Sequence, residues 1–285
     1  MTARLATHAD ASRRADELVD RLVTAGVDVE RISDAASGGA PSRDPLGQVL
    51  DETADLALVG IGALRGATSD RLTMLATPPR EDPRDVLVVL GGSPAPLRSL
   101  PSGARVGVSG PRRSALLLAH RPDVIAVPIE PKPPREMIED GARDLDAVVV
   151  GSVEARRGGL AGRIGEVLDP RSWLPEPGQG IVALMARHPI AEVTALDHLP
   201  TRTALRAELA LLDALDAAPG AALGSLAQPS GRLVRLCAAV VSPDGRRIAR
   251  SDQTGPLDEP ELLGSSVARQ LLRRGADLVL SGAVA

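Results

Sequence analysis

Two adjacent arginines at the mouth of a helix are the clearest chemical signal in this chain. The segment Val106-Gly-Val-Ser-Gly-Pro-Arg-Arg113 reads as the end of a short apolar strand, a turn through Ser109, Gly110 and Pro111, and a helix opening on Arg112 and Arg113. Proline suits the first helical position, because its missing N–H would find no intrahelical partner there. The free N–H groups of such a turn, with two guanidinium groups beside them, make an anion site. Arginine offers a bidentate fork that matches a carboxylate or a phosphate. A small acidic ligand is the expected occupant. Two solvated arginines on an ordinary strand-to-helix turn are the plainer alternative, and taken alone the segment favours it.

Composition narrows the chemistry by exclusion. The single cysteine, Cys237, rules out an intramolecular disulfide framework and any multi-cysteine metal site, so no metal centre is expected. It stands in the apolar run Leu233-Val-Arg-Leu-Cys-Ala-Ala-Val240 and reads as a buried, inert thiol. With 33 basic and 37 acidic residues in 285, the net charge is −4, and no long run of either sign occurs. That balance argues against a nucleic-acid partner. No signal-peptide pattern opens the chain and no stretch is long enough for a membrane span. A cytoplasmic protein is expected. One Trp, no Tyr and no Phe leave the core to Leu, Val, Ile and Ala, and nearly exclude aromatic stacking on a ligand.

The elements that must hold the arginines alternate strand and helix. Strand 104–108, helix 112–120, strand 124–129, helix 135–141 and strand 145–150 form one lobe. Before it, strand 3–7, helix 11–25, strand 27–32, a loop at 33–44 expected to be mobile, helix 45–52 and strands 54–60, 72–76 and 85–90 form another. A proline-bearing linker at 91–103 joins them. Such alternation predicts parallel sheets with crossover helices. Two lobes in tandem are the plan of periplasmic-type binding proteins, whose ligands sit near the carboxyl ends of the strands. From Thr201 the pattern changes. An apolar helix at 204–215, a strand at 233–241, a turn at Ser242-Pro-Asp-Gly245, a strand at 247–251, a helix at 259–274 and a strand at 277–280 predict a small C-terminal α+β domain.

Further segments follow in a fixed order: Pro79-Arg-Glu-Asp-Pro-Arg-Asp-Val-Leu-Val88, Leu145-Asp-Ala-Val-Val-Val150, Glu154-Ala-Arg-Arg-Gly-Gly-Leu-Ala-Gly-Arg-Ile164, Glu166-Val-Leu-Asp-Pro170 and Leu174-Pro-Glu-Pro-Gly-Gln-Gly180. In that order and spacing the chain resembles the porphobilinogen deaminase family, also called hydroxymethylbilane synthase, over nearly its whole length. The resemblance implies a transferase of tetrapyrrole biosynthesis that condenses porphobilinogen on a cysteine-anchored dipyrromethane cofactor. It implies a first lobe of residues 1–92 plus about 178–198, a second of 104–177 and a third domain of 201–285. It also places Ser109, Arg112 and Arg113 at cofactor-binding positions, and Arg157 and Arg187 at substrate-binding ones. Lys132 and Arg135, in Glu130-Pro-Lys-Pro-Pro-Arg-Glu136, stand where the family has an arginine-bearing loop.

Departures fall on the chemistry. Gly62 stands at the family's cofactor-facing lysine, Ala63 at its catalytic aspartate and Pro219 at its anchoring cysteine, while His8 replaces an arginine and Asp10 adds a repelling charge. Asp55 and Asp70 are the nearest acids to position 63, and neither spacing puts a carboxylate at that point. Losing a group that acts in the transition state costs orders of magnitude in rate. Two readings remain: a divergent enzyme, or a non-catalytic paralogue that binds a small polycarboxylate or a pathway partner through its remaining arginines. The missing acid and thiol weigh toward the second, a monomer without attached dipyrromethane. An unrelated two-lobed binding protein is hard to reconcile with the run from Leu145 to Gly180.

Overall fold

The computed structural model describes residues 2–7, 12–32, 44–65, 70–130, 144–217 and 221–280. The chain forms two compact units, Met1–Arg80 with Gly180–Leu205, and Glu81–Gln179 with Arg206–Ala285. The expected loop at 33–44 (all but Asp44) and the expected helix at 135–141 lie outside the described residues.

In the first unit, β1 (Thr2–Thr7), β2 (Asp28–Ile32), β3 (Leu56–Val59), β4 (Thr73–Ala76) and β10 (Ala183–Ala186) make one sheet in the order β2-β1-β3-β10-β4. Helix α1 (Ser12–Thr24) buries Ala15, Leu18 and Leu22, a single stripe at helical spacing. That stripe packs with Ala3, Leu5, Leu56 and Leu58 of the sheet. Helix α2 (Pro45–Leu50) leads into β3, and the five-residue α3 (Ile61–Arg65) follows it and buries nothing. The short α6 (Ala191–Thr194) seats Val193 in the same core.

In the second unit, β5 (Asp85–Val89), β6 (Arg105–Val108), β7 (Ile125–Pro128), β8 (Ala147–Gly151) and β9 (Ile164–Val167) make a sheet in the order β7-β6-β8-β5-β9. Three expectations need correction here. Strand β5, read as closing the first lobe, pairs with β8 and β9 of the second. All five of its residues are buried, so it demands neighbours on both sides, but its own sequence does not say in which sheet. Neither sheet is wholly parallel: β5 runs antiparallel to β8 and β9, and β10 antiparallel to β3 and β4. The stretch at 91–103 is not a loose linker either. Its 3-10 turn, Leu97–Ser99, and Leu100 put two leucines into the core around β6.

Helix α4 (Pro111–His120) carries Ala115, Leu116 and Leu117 into that core, and α5 (Ser152–Arg157) follows β8. Helix α7 (Leu199–Leu215) precedes an antiparallel sheet of β11 (Leu223–Ser230), β12 (Leu233–Val241) and β13 (Ile248–Pro256), backed by α8 (Pro260–Arg273). The turn between β12 and β13 seats on α4. Gly245 has φ +74°, and a Cβ there would stand 2.3 Å from the Ala119 nitrogen. Residues 277–280, expected as a strand, lie in helix α9 (Ala276–Leu280). Five residues carry too few turns for periodicity to separate the two. The architecture is two α/β lobes and a small α+β domain.

Candidate functional site

The site is built around a carboxylate that the sequence did not single out. Strand β6 ends at Val108, Gly110 caps α4 with φ 79°, and Pro111 takes the first helical position. Arg112 and Arg113 then point at Asp85, the first residue of β5. Arg112 Nη2 donates to Asp85 Oδ2 at 2.9 Å, and Arg113 donates through Nε to Oδ2 at 3.3 Å and through Nη2 to Oδ1 at 2.9 Å. Trp173 Nε1 donates to Oδ2 at 3.0 Å and Gln179 Nε2 to Oδ1 at 2.9 Å. The Asp85 side chain is 0% exposed, against 7% for Arg112 and 13% for Arg113. Burial would push the Asp85 carboxyl up; the two guanidinium groups outweigh it and hold the carboxyl well below its usual range. Ser109 joins the cluster by accepting from Arg113 Nη1 at 2.6 Å.

A second buried acid fixes the loop that supplies Gln179. Glu208 of α7 accepts the backbone N–H of Gly178 at 2.5 Å and of Ala227 at 2.7 Å, tying the turn to β11. Its carboxylate satisfies both buried N–H groups. Nearby in sequence, Arg84 forks onto Asp82 at 2.8 Å, and Ser152 donates to the same carboxylate at 3.0 Å. The Arg84 hydrogen bonds lead in holding Asp82 down to about 2, against an opposing push from burial. Arg157 pairs with Glu81 at 2.6 Å.

The first unit holds the other half of the family's candidate residues. On α3, Gly62 is exposed and Ala63 half-buried, and neither side chain can donate, accept or carry charge. Asp55 is committed to Arg4, which reaches it through Nε and Nη2 at 3.0 Å and through its backbone N–H at 2.8 Å. Arg187 pairs with Glu52 at 2.7 Å. Lys132, Arg135, Pro219, His8 and Asp10 lie outside the described residues. Cys237 is buried among Leu174, Leu226 and Ala239, and burial pushes its thiol up. That environment suppresses the thiolate a covalent anchor needs.

The structure thus brings Ser109, Arg112 and Arg113 together, and adds Asp85, Trp173, Gln179 and Glu208, which sequence reasoning missed. Asp85 was in view inside Pro-Arg-Asp-Val, where an acid opening an apolar strand was the only signal. Its partners stand 27, 28, 88 and 94 positions away, beyond any local spacing rule.

Comparison with known proteins decides the family. Residues 45–195 match the family model described as porphobilinogen deaminase, dipyromethane cofactor binding domain. The porphobilinogen deaminase of Thermobifida fusca is 34% identical over 283 residues, covering 93% of this chain and 87% of that protein. That of Thermus thermophilus is 36% identical over 239 residues, covering 82% and 78%. The chain belongs to the porphobilinogen deaminase family. Among solved structures, a periplasmic substrate-binding protein of an ABC transporter from Coxiella burnetii aligns with TM-score 0.45 at 14% identity, covering 73% of this chain and 96% of that one.

Dipyrromethane is the cofactor of the porphobilinogen deaminase family, and the described residues do not fit it. The arginine pair expected to meet its carboxylates already holds Asp85, and Gly62 and Ala63 on α3 offer it no group that donates, accepts or carries charge. Among the described residues, no group of three or more His, Cys, Asp or Glu could hold a metal ion, and no helix is long and apolar enough to cross a membrane.

Proposed function

We propose that this member of the porphobilinogen deaminase family is a cytoplasmic monomer of tetrapyrrole biosynthesis that binds acidic pyrrole-type compounds without condensing them. The methyl group of Ala63 is the observation that carries this reading. Losing ammonia from porphobilinogen leaves a pyrrole-methylene cation, and a carboxylate beside the pyrrole N–H would stabilise it and handle the proton. A methyl group does neither. No thiol is poised as anchor: Pro219 has no nucleophile, and Cys237 is buried in an apolar cluster. The chain therefore carries no dipyrromethane.

Binding remains within reach of Arg187. Glu52, the partner of Arg187, is 65% exposed, and an ion pair open to water contributes only about 0–1 kcal/mol, so a ligand carboxylate can displace it. The test is porphobilinogen consumption by the purified protein, with intact mass and titration calorimetry on the same sample. Expected are no consumption, the mass of the bare polypeptide and saturable binding. Turnover to a linear tetrapyrrole, or added pyrrole mass, would overturn the reading.

A further inference from the structure

We infer that Asp85 is a built-in carboxylate that occupies the arginine pair of α4, so that Arg112 and Arg113 are closed to the carboxylates of any cofactor or ligand. The closure stands on geometry alone.

Hydrogen-bond capacity is the first argument. Oδ1 of Asp85 accepts from Arg113 Nη2 and Gln179 Nε2, and Oδ2 accepts from Arg112 Nη2, Arg113 Nε and Trp173 Nε1. A carboxylate offers about four lone-pair sites, so this one is full. The remaining faces of the two guanidinium groups are engaged as well. Arg112 Nη1 donates to the Leu174 carbonyl at 2.8 Å, Arg112 Nη2 also meets Gln179 Oε1 at 3.3 Å, and Arg113 Nη1 donates to Ser109 Oγ. That last bond consumes the third residue expected to bind cofactor.

Fixity is the second argument. Asp85 opens a strand paired on both sides, and its carbonyl accepts the Leu168 N–H at 3.0 Å. Swinging the carboxylate away would strand two charged guanidinium groups in a dry pocket, and an uncompensated buried charge is among the costliest defects a fold can carry. A ligand carboxylate gains nothing over one already held at zero translational cost.

Replacing the built-in carboxylate by a diffusible one tests this. In Asp85→Ala, thermal unfolding is followed by Trp173 fluorescence, and Trp173, the only tryptophan, donates to that carboxylate. A fall in Tm of about 10 °C is expected. Acetate should restore most of it saturably; acetamide, its neutral isostere, and sodium chloride at matched ionic strength should not. Wild type should not respond to acetate. Absence of acetate-specific recovery, or equal stabilisation of wild type, overturns the closure. If Asp85→Ala does not fold, the same titration on Asp85→Ser, which also vacates the carboxylate's space, decides by the same criteria. Absence of porphobilinogen binding by wild type would overturn the proposed function and leave the closure standing.

Discussion

The loop at α3 and the cluster at Asp85 have opposite fates within one family frame. On α3, both positions where the porphobilinogen deaminase family carries chemistry have become Gly62 and Ala63, side chains that touch little and hold no charge. At Asp85, two arginines, a tryptophan and a glutamine still converge on one buried carboxylate. The difference lies in what each contributes to folding. A helix that buries nothing can lose its charged groups at no structural cost. A buried charge cluster cannot lose one member, because the remaining charges would have no solvent and no partner. Loss of chemistry proceeds where function alone maintains the residues.

Removing Arg112 should break this contrast most sharply. Arg112→Ala strips Asp85 of a buried partner and should cost about 3–5 kcal/mol in denaturant unfolding. A loss as small as that of a surface substitution would mean that the cluster is not structural. Acid reads the same feature. Asp85 and Asp82 are both depressed on folding, so their stabilisation is fully present above the unfolded value near about 4 and disappears as pH falls toward the folded values, about 2 for Asp82. Wild type should lose stability over that acid window, and Asp85→Asn should show a shallower slope in pH-dependent melts. Glu208→Ala leaves the Gly178 and Ala227 N–H groups without their buried acceptor, for an expected loss of about 2–3 kcal/mol. Arg187→Ala, at a pair open to water, should cost no more than about 1 kcal/mol. The smallest effect sharpens the comparison from the other side. Ala63→Asp should change stability by less than about 0.5 kcal/mol and yield no turnover by itself. Together with Pro219→Cys it should still give no porphobilinogen consumption, because Arg112 and Arg113 stay on Asp85; turnover by the double variant would break the comparison.

Much of the architecture was legible because its signals are local. The apolar stripe of α1, the proline that starts α4, the strand of β12 and the turn at Ser242–Gly245 each follow from a few consecutive residues. Errors arose where a short apolar run was compatible with two outcomes. Asp85–Val89 had to be a buried strand, yet nothing in it names a sheet, and Ala276–Leu280 was too short to show a period. Strand β11 went unread, since Gly224 and Ser225 break the apolar alternation of a strand.

By itself the sequence determined the family, the alternation of lobes and the absence of an acid at position 63 and of a cysteine at position 219, because identity and order of residues are its content. It also marked Arg112 and Arg113 as an anion-binding pair. Tertiary structure alone decided which anion they bind. Asp85 stands 27 and 28 positions upstream in a strand that joins the second sheet, and only that pairing sets its carboxylate against both guanidinium groups in a space closed to water. Burial turns an apparent ligand site into a structural charge cluster, and burial is a property of the assembled fold.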